Sequence, residues 1–149
     1  MGILANLTDE IKTAMRAKDS LKLEALRAIK SAVMLEQTAS GAGTELSEEQ
    51  EIKLVQKLVK QRKDSAQIFK EQNRPDLAEP EEAQAAVIAE FLPAQLSQEE
   101  ITKIVTDIIA QTGAEGMKDM GKVMGMASKQ MAGTADGKTI STIVKQLLS

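Results

Sequence analysis

Apolar residues recur along this chain every three or four positions rather than every second one, the pattern of amphipathic helices. Leu4, Leu7, Ile11 and Met15 define a first stripe. It breaks near Lys18 and Asp19, where Asp19 can cap a second helix running to about Gln37. Two glycines between Ser40 and Thr44 favour a turn. Ser47 and Gln50 have capping-box spacing ahead of a long third helix from Glu48 to about Gln72, with Val55, Leu58, Val59, Ala66 and Phe69 on its apolar side. Arg74, Pro75 and Asp76 then turn the chain. Asp76 with Glu79 offers another capping pair, Pro80 is tolerable in a first turn, and Ala83, Val87, Ile88 and Phe91 give a fourth helix its apolar face.

Pro93 is the expected boundary. Beyond it, Ser97 and Glu100 form the clearest capping box, and Leu96 can pack on Ile101 as a hydrophobic staple. Ile101, Ile104, Val105, Ile108 and Ile109 read as a strand by composition, yet they follow a 3.6-residue stripe from which Lys103 and Asp107 fall away. A sixth helix is expected around Met117 to Met131. A seventh runs from Gly137 to Leu148, capped by Asp136, with Ile140, Ile143, Val144, Leu147 and Leu148 on one side. The predicted fold is all-α: a four-helix N-terminal domain over residues 1–93, then a small three-helix C-terminal domain over residues 94–149, packed loosely or hinged.

Composition narrows the chemistry. The 149 residues include no Cys and no His, which removes disulfides, thiolate chemistry, histidine bases and the usual zinc sites. Only oxygen ligands remain, and the runs Glu48-Glu49-Glu51 and Glu79-Glu81-Glu82 are accounted for by helix dipoles in first turns, so neither metal nor cofactor is expected. Nine serines have no histidine partner, and no catalytic residue is assigned. Two phenylalanines cannot build a stacking platform for single-stranded nucleic acid. No run approaches the roughly 18 apolar residues of a membrane span. Met1 to Leu7 lacks the ordered regions of an export signal, so the expectation is a cytoplasmic protein without a membrane partner.

Charge is uneven although the net is only −3. Residues 1–78 are nearly balanced at +1, residues 79–115 carry −7, and residues 116–149 carry +3. Lys53, Lys57 and Lys60 share one helical face, with Arg62, Lys63, Lys70 and Arg74 nearby, and can meet a phosphate backbone or an acidic protein; the competing reading is a solvated face partly neutralised by Asp64 and Glu71. Arg62 differs from these lysines. It falls in the middle of the apolar arc between Leu58 and Phe69, so its guanidinium is expected to meet a carboxylate or helix-end carbonyls as a structural ion pair, or else to be presented in a groove between helices.

Two glycine motifs imitate nucleotide loops. Gly116 to Lys122 has the four-residue gap and the lysine but places Val123 where a hydroxyl must bind magnesium, and Gly133 to Thr139 is one residue short. They read better as a helix start and a capped loop, although a lone phosphate at the last helix's amino end, beside Lys138, is physically reasonable. Met117, Met120, Met124, Met126 and Met131 crowd into fifteen residues. Such a stripe serves as a small core or as an adaptable partner groove.

The segments Lys60-Gln-Arg-Lys-Asp-Ser65, Phe91-Leu-Pro-Ala-Gln-Leu96-Ser97, Met117-Lys-Asp-Met-Gly-Lys-Val-Met124, Ala135-Asp-Gly-Lys138 and Val144-Lys-Gln-Leu147 together resemble the YqeY-like family. That resemblance implies the same four-helix and three-helix division. It also implies similarity to the tail of the B subunit of the glutamyl-tRNA(Gln) or aspartyl-tRNA(Asn) amidotransferase, where the tail helps engage transfer RNA and the kinase and glutaminase chemistry lies elsewhere. An RNA-facing role carries over onto Lys118, Lys122 and Lys138. The amidase Ser-Ser-Lys set and the ATP-using body have no counterpart in the sequence. The expected function is therefore a non-catalytic, tRNA-interacting or amidotransferase-related module. A protein-binding adaptor using Met117, Met120 and Met124 is the alternative, and an accessory component of a carbon–nitrogen ligase with glutamine as amide donor the third.

Overall fold

The computed structural model describes residues 2–41 and 43–149; Met1 and Ala42, and with them part of the leader and turn readings, lie outside. Among the described residues the fold is all-α, with no strand. Seven α-helices run α1 (Leu7–Ala17), α2 (Ser20–Ala39), α3 (Glu48–Glu71), α4 (Pro75–Ala89), α5 (Gln98–Thr112), α6 (Met120–Gln130) and α7 (Gly137–Leu148), and a 3₁₀ turn, Met117–Asp119, leads into α6.

The chain divides into two compact units between Leu92 and Pro93. In the first, α3 and α4 make the most extensive helix pairing and α2 packs on α4 and α1. Its core is built on Leu26 and Ile29 of α2, Val55 and Leu58 of α3 and Ile88 of α4. Lys18 closes α1 in the left-handed conformation, and Asp19 accepts a hydrogen bond from the Lys22 N–H to open α2, which extends two residues beyond the expected Gln37. Ser47 and Gln50 bond reciprocally as a capping box, satisfying N–H groups that the start of α3 would otherwise leave unpaired.

Three expectations fail here for geometric reasons. Met15 is exposed and Ala14 buried in its place, because at 100° per residue position 14 lies about 20° from Leu7 and position 15 about 80°. The Asp76–Glu79 capping pair does not form. Pro75, with φ pre-set for a helix, is itself the first residue of α4, so Asp76 lies inside the first turn and turns back onto Arg74 at 2.9 Å. Pro80 is consequently the sixth helical residue rather than a first-turn one.

The second unit holds α5, α6 and α7 around Ile101, Val105, Ile108, Val123, Met131, Ile140 and Val144. Ser97 and Glu100 form the other reciprocal capping box, Leu96 packs on this core, and Gly113 ends α5 at φ 69°, a conformation in which a side chain would be strained. The Gln95 side-chain amide donates to the carbonyls of Pro93 (2.7 Å) and Gly133 (2.9 Å), and the Leu96 N–H to Thr134 (2.8 Å), clasping the entry segment to the α6–α7 loop. α6 starts at Met120, three residues later than expected, since the extended backbone at Gly116 is followed by tighter 3₁₀ winding. Leu147 is exposed and Leu148 covered in the last turn of α7, which the periodicity does not explain.

Candidate functional site

The most distinctive surface lies on α6. Asp119 accepts the Glu115 N–H at 3.0 Å, which fixes the 3₁₀ turn and leaves Lys118 exposed just ahead of the helix. Val123, Ala127 and Met131 then recur at i, i+4 and i+8 and are buried, with Met120 and Met124 half-buried against the same core. This spacing places the opposite side in solvent. Lys118, Lys122, Gly125 and Lys129 follow one another at intervals of four, three and four along that side, all exposed, with Gly121 beside them.

Among the described residues the two glycines of α6 are not needed for close packing. Apart from the helix's own backbone and the adjoining residues, a Cβ at Gly121 or Gly125 would meet no described atom within 4 Å, and neither residue has a positive φ. Each costs the helix up to about 1 kcal/mol relative to alanine. What they provide is an open strip of backbone between lysines. None of Lys118, Lys122 and Lys129 has a carboxylate within 4.0 Å among the described residues. Lys129 extends the row beyond the lysines singled out by the family resemblance; the four- and three-residue spacing from Lys118 is the signal that identifies it.

Lys138 stands apart from this row, on the first turn of α7. The neighbouring cap, Asp136, accepts the Thr139 N–H at 3.4 Å, placing a carboxylate at the helix end where a lone phosphate would bind. The Met residues divide. Met117 and Met126 are exposed, whereas Met120 and Met124 contribute packing.

On α3, Lys53, Lys57 and Lys60 are exposed on one face as the spacing requires. Lys53 is 3.0 Å from Glu49, an exposed i,i+4 pair worth at most about 0.5 kcal/mol. The face is thus partly neutralised by Glu49; Glu71 instead accepts from Gln67 at 3.3 Å. Lys70 pairs with Glu82 across α3 and α4, while Lys57 and Lys60 have no carboxylate partner among the described residues.

Arg62 is half-buried in the apolar arc, as its position dictates, but its partner is not a charge. Its Nε–H donates to Gln84 Oε1 on α4 at 3.0 Å, and the Gln84 amide in turn donates to Glu24 Oε2 on α2 at 3.1 Å. A neutral amide relays the interaction, correcting the direct ion pair. Gln84 and Glu24 are invisible to sequence reasoning because nothing local links residues 22 and 60 positions apart.

The Arg74–Asp76 pair is exposed and bidentate, at 3.0 and 2.9 Å. The guanidinium holds the Asp76 carboxyl below the usual aspartate range against the lesser, opposing effect of desolvation, with smaller help from the backbone N–H groups of Asp76 and Leu77, while Arg74 is driven further above its own ordinary value. Among the described residues no group of three or more His, Cys, Asp or Glu is placed to hold a metal ion, and no helix is long and apolar enough to cross a membrane. The two nucleotide-loop imitations are a 3₁₀ turn entering α6 and a loop with Gly133 at φ 81° ending at the Asp136 cap.

Residues 4–148 match the family model described as Yqey-like protein. Among curated relatives, the chain is 33% identical over 114 residues to Altered inheritance of mitochondria protein 41, mitochondrial, of Clavispora lusitaniae, covering 75% of this chain and 65% of that protein. The namesake in Lachancea thermotolerans is 35% identical over 111 residues, 72% of this chain and 58% of its own length. A third relative is a glutamyl-tRNA(Gln) amidotransferase component of Thermococcus gammatolerans, 38% identical over 71 residues that make up 45% of this chain and 11% of that one. This archaeal component is of the E type, where the sequence resemblance pointed to the B type. The chain spans less than two thirds of the two mitochondrial relatives. Their names overturn the cytoplasmic expectation. That expectation rested on the lack of an apolar export segment, and a transit peptide of the mitochondrial type is amphipathic and Arg-rich, so its lack carried no information about this compartment.

Proposed function

The chain belongs to the YqeY-like family, and on that premise we propose that it is a non-catalytic, RNA-interacting helical module related to the tRNA-dependent amidotransferases. One observation carries the reading: the unpaired lysine row Lys118, Lys122 and Lys129 along the glycine-opened side of α6. A phosphate backbone requires cations that are not already neutralised, and an approach close enough for counterions to be released. The open strip at Gly121 and Gly125 permits that approach. Lys138 on α7 adds a further cation, and the net +3 of residues 116–149 supplies the local field in a chain whose total charge is negative. The name of the Thermococcus relative supports transfer RNA as the nucleic acid. Lys57 and Lys60 on α3 are secondary contacts, and Lys53, paired with Glu49, a weaker one.

Fluorescence anisotropy with unfractionated tRNA across a salt series tests this. Replacing Lys118, Lys122 and Lys129 together with alanine lowers the slope of log affinity against log salt by up to about 3. Equal wild-type affinity for tRNA and for heparin, with an unchanged slope in the triple variant, rejects the RNA role. The exposure of Met117 and Met126 favours the second reading, a protein-binding adaptor; its binding would respond to Met117 and Met126 replacements and vary little with salt.

A further inference from the structure

The Glu24–Gln84–Arg62 relay leaves a feature that the packing of the first unit does not use. Arg62 has five N–H donors, and the single Nε–H is engaged by Gln84. The four N–H groups on its two terminal nitrogens have no partner among the described residues, and no unpaired side-chain nitrogen is sealed from solvent. Arg62 lines a shallow, open pocket of about 520 Å³ together with Gln61, Asp64, Ser65 and Glu81. The relay engages the guanidinium through Nε alone, which leaves both terminal nitrogens free to receive a carboxylate through two parallel hydrogen bonds.

The rest of the lining restricts what can enter. Glu81 is half-buried, and neither it nor Asp64 has a cation within 4.0 Å, Arg62 included. One positive and two negative side chains therefore share the pocket without a direct ion pair between them. A phosphate or another simple anion would face two carboxylates, and a simple cation would leave the arginine fork unmet. A molecule carrying both charges a bond or two apart satisfies both ends, with the Ser65 hydroxyl, unpartnered among the described residues, available as a further donor to the carboxylate. Another pocket beside α3 and α4 lacks this character: four alanines dominate it and its Glu82 is already paired with Lys70.

We propose that the Arg62 pocket binds a free α-amino acid, its carboxylate on the terminal nitrogens of Arg62 and its ammonium on Glu81 and Asp64. This site is on the first unit and stands independently of the RNA reading for the second. The test is a titration of the full ¹⁵N-labelled chain with L-alanine into the millimolar range, followed by NMR. Saturable shifts are expected at residues 61, 62, 65, 81 and 84. Acetate and methylammonium, each carrying half of the recognised group, bind at least about tenfold more weakly, as does L-alanine to Glu81→Gln. Arg62→Lys keeps the charge, loses the fork and weakens binding similarly. Should that variant fail to fold, Glu81→Gln, which leaves the relay intact, decides alone. The proposal is overturned by an absence of saturable shifts with L-alanine, by acetate or inorganic phosphate binding as tightly as L-alanine, or by unchanged affinity in Glu81→Gln.

Discussion

Arg62 and Arg74 show how differently two arginines of one helical region are used. Arg62 bridges α3 to α4 and, through Gln84, to α2. Arg62→Ala removes packing of the aliphatic stem and leaves Gln84 without its donor, and is expected to cost about 1–2 kcal/mol in urea unfolding followed by circular dichroism. Lys53→Ala, which loses an exposed pair, should stay within about 0.5 kcal/mol of wild type. At Arg74 the consequence is a pH dependence. Because folding lowers the Asp76 pKa, the associated stability is complete above the ordinary aspartate value and is lost as pH falls through the lower folded value. A carboxyl ¹³C titration should place the Asp76 midpoint below the usual range, and Arg74→Ala should move it upward; high salt should shrink the difference, since the pair is exposed. The sequence disclosed that Arg62 needed an acceptor, because its helical angle lies among apolar residues. It did not disclose which, since Gln84 reaches it only through the register in which α3 and α4 pack.

Four helix starts governed by a short-range rule were legible. Ser47 with Gln50, Ser97 with Glu100, Asp19 and Asp136 all cap as their spacing dictates, because each bond spans three residues and needs no tertiary partner. The start of α4 was misread because Asp76 had two local options, and Pro75 together with a nearby guanidinium decided between them. Ser97→Ala is expected to destabilise the second unit by about 1 kcal/mol in thermal or urea unfolding. α6 makes the opposite prediction. Gly121→Ala and Gly125→Ala add a methyl group into open space at helical positions and should each raise stability by up to about 1 kcal/mol. In the tRNA titration the same variants should bind more weakly with an unchanged salt slope, because the charge is retained and only the close approach is obstructed. If they bind tRNA as well as wild type, the glycines have no part in the interface.

At the level of the whole molecule, each hydrophobic cluster is drawn from one of the two units. Residues 93–149 produced alone should therefore remain helical and unfold cooperatively, though with only about 3–5 kcal/mol of stability, since so short a chain has a small core. Random-coil circular dichroism from this fragment would show that its core depends on residues 1–92. The candidate surface on α6 was half legible: its lysines stand in the sequence, but the openness of Gly121 and Gly125 depends on where Val123, Ala127 and Met131 turn the helix.

The distribution of thioethers has a separate consequence. With no Cys, Trp or Tyr, methionine sulfur is the readily oxidised group of this chain. Its accessibility is graded: Met34 is 58% exposed, Met15 53%, Met117 48% and Met126 40%, whereas Met131, at the centre of the second core, is 1% exposed. Mild peroxide treatment is thus expected to write sulfoxides first on α1, α2, α6 and the 3₁₀ turn ahead of α6, and to reach Met131 when the second unit opens. The chain carries an intrinsic oxidative clock for its own unfolding, in which a bound ligand covering Met117 or Met126 would register as a delayed mark on that peptide.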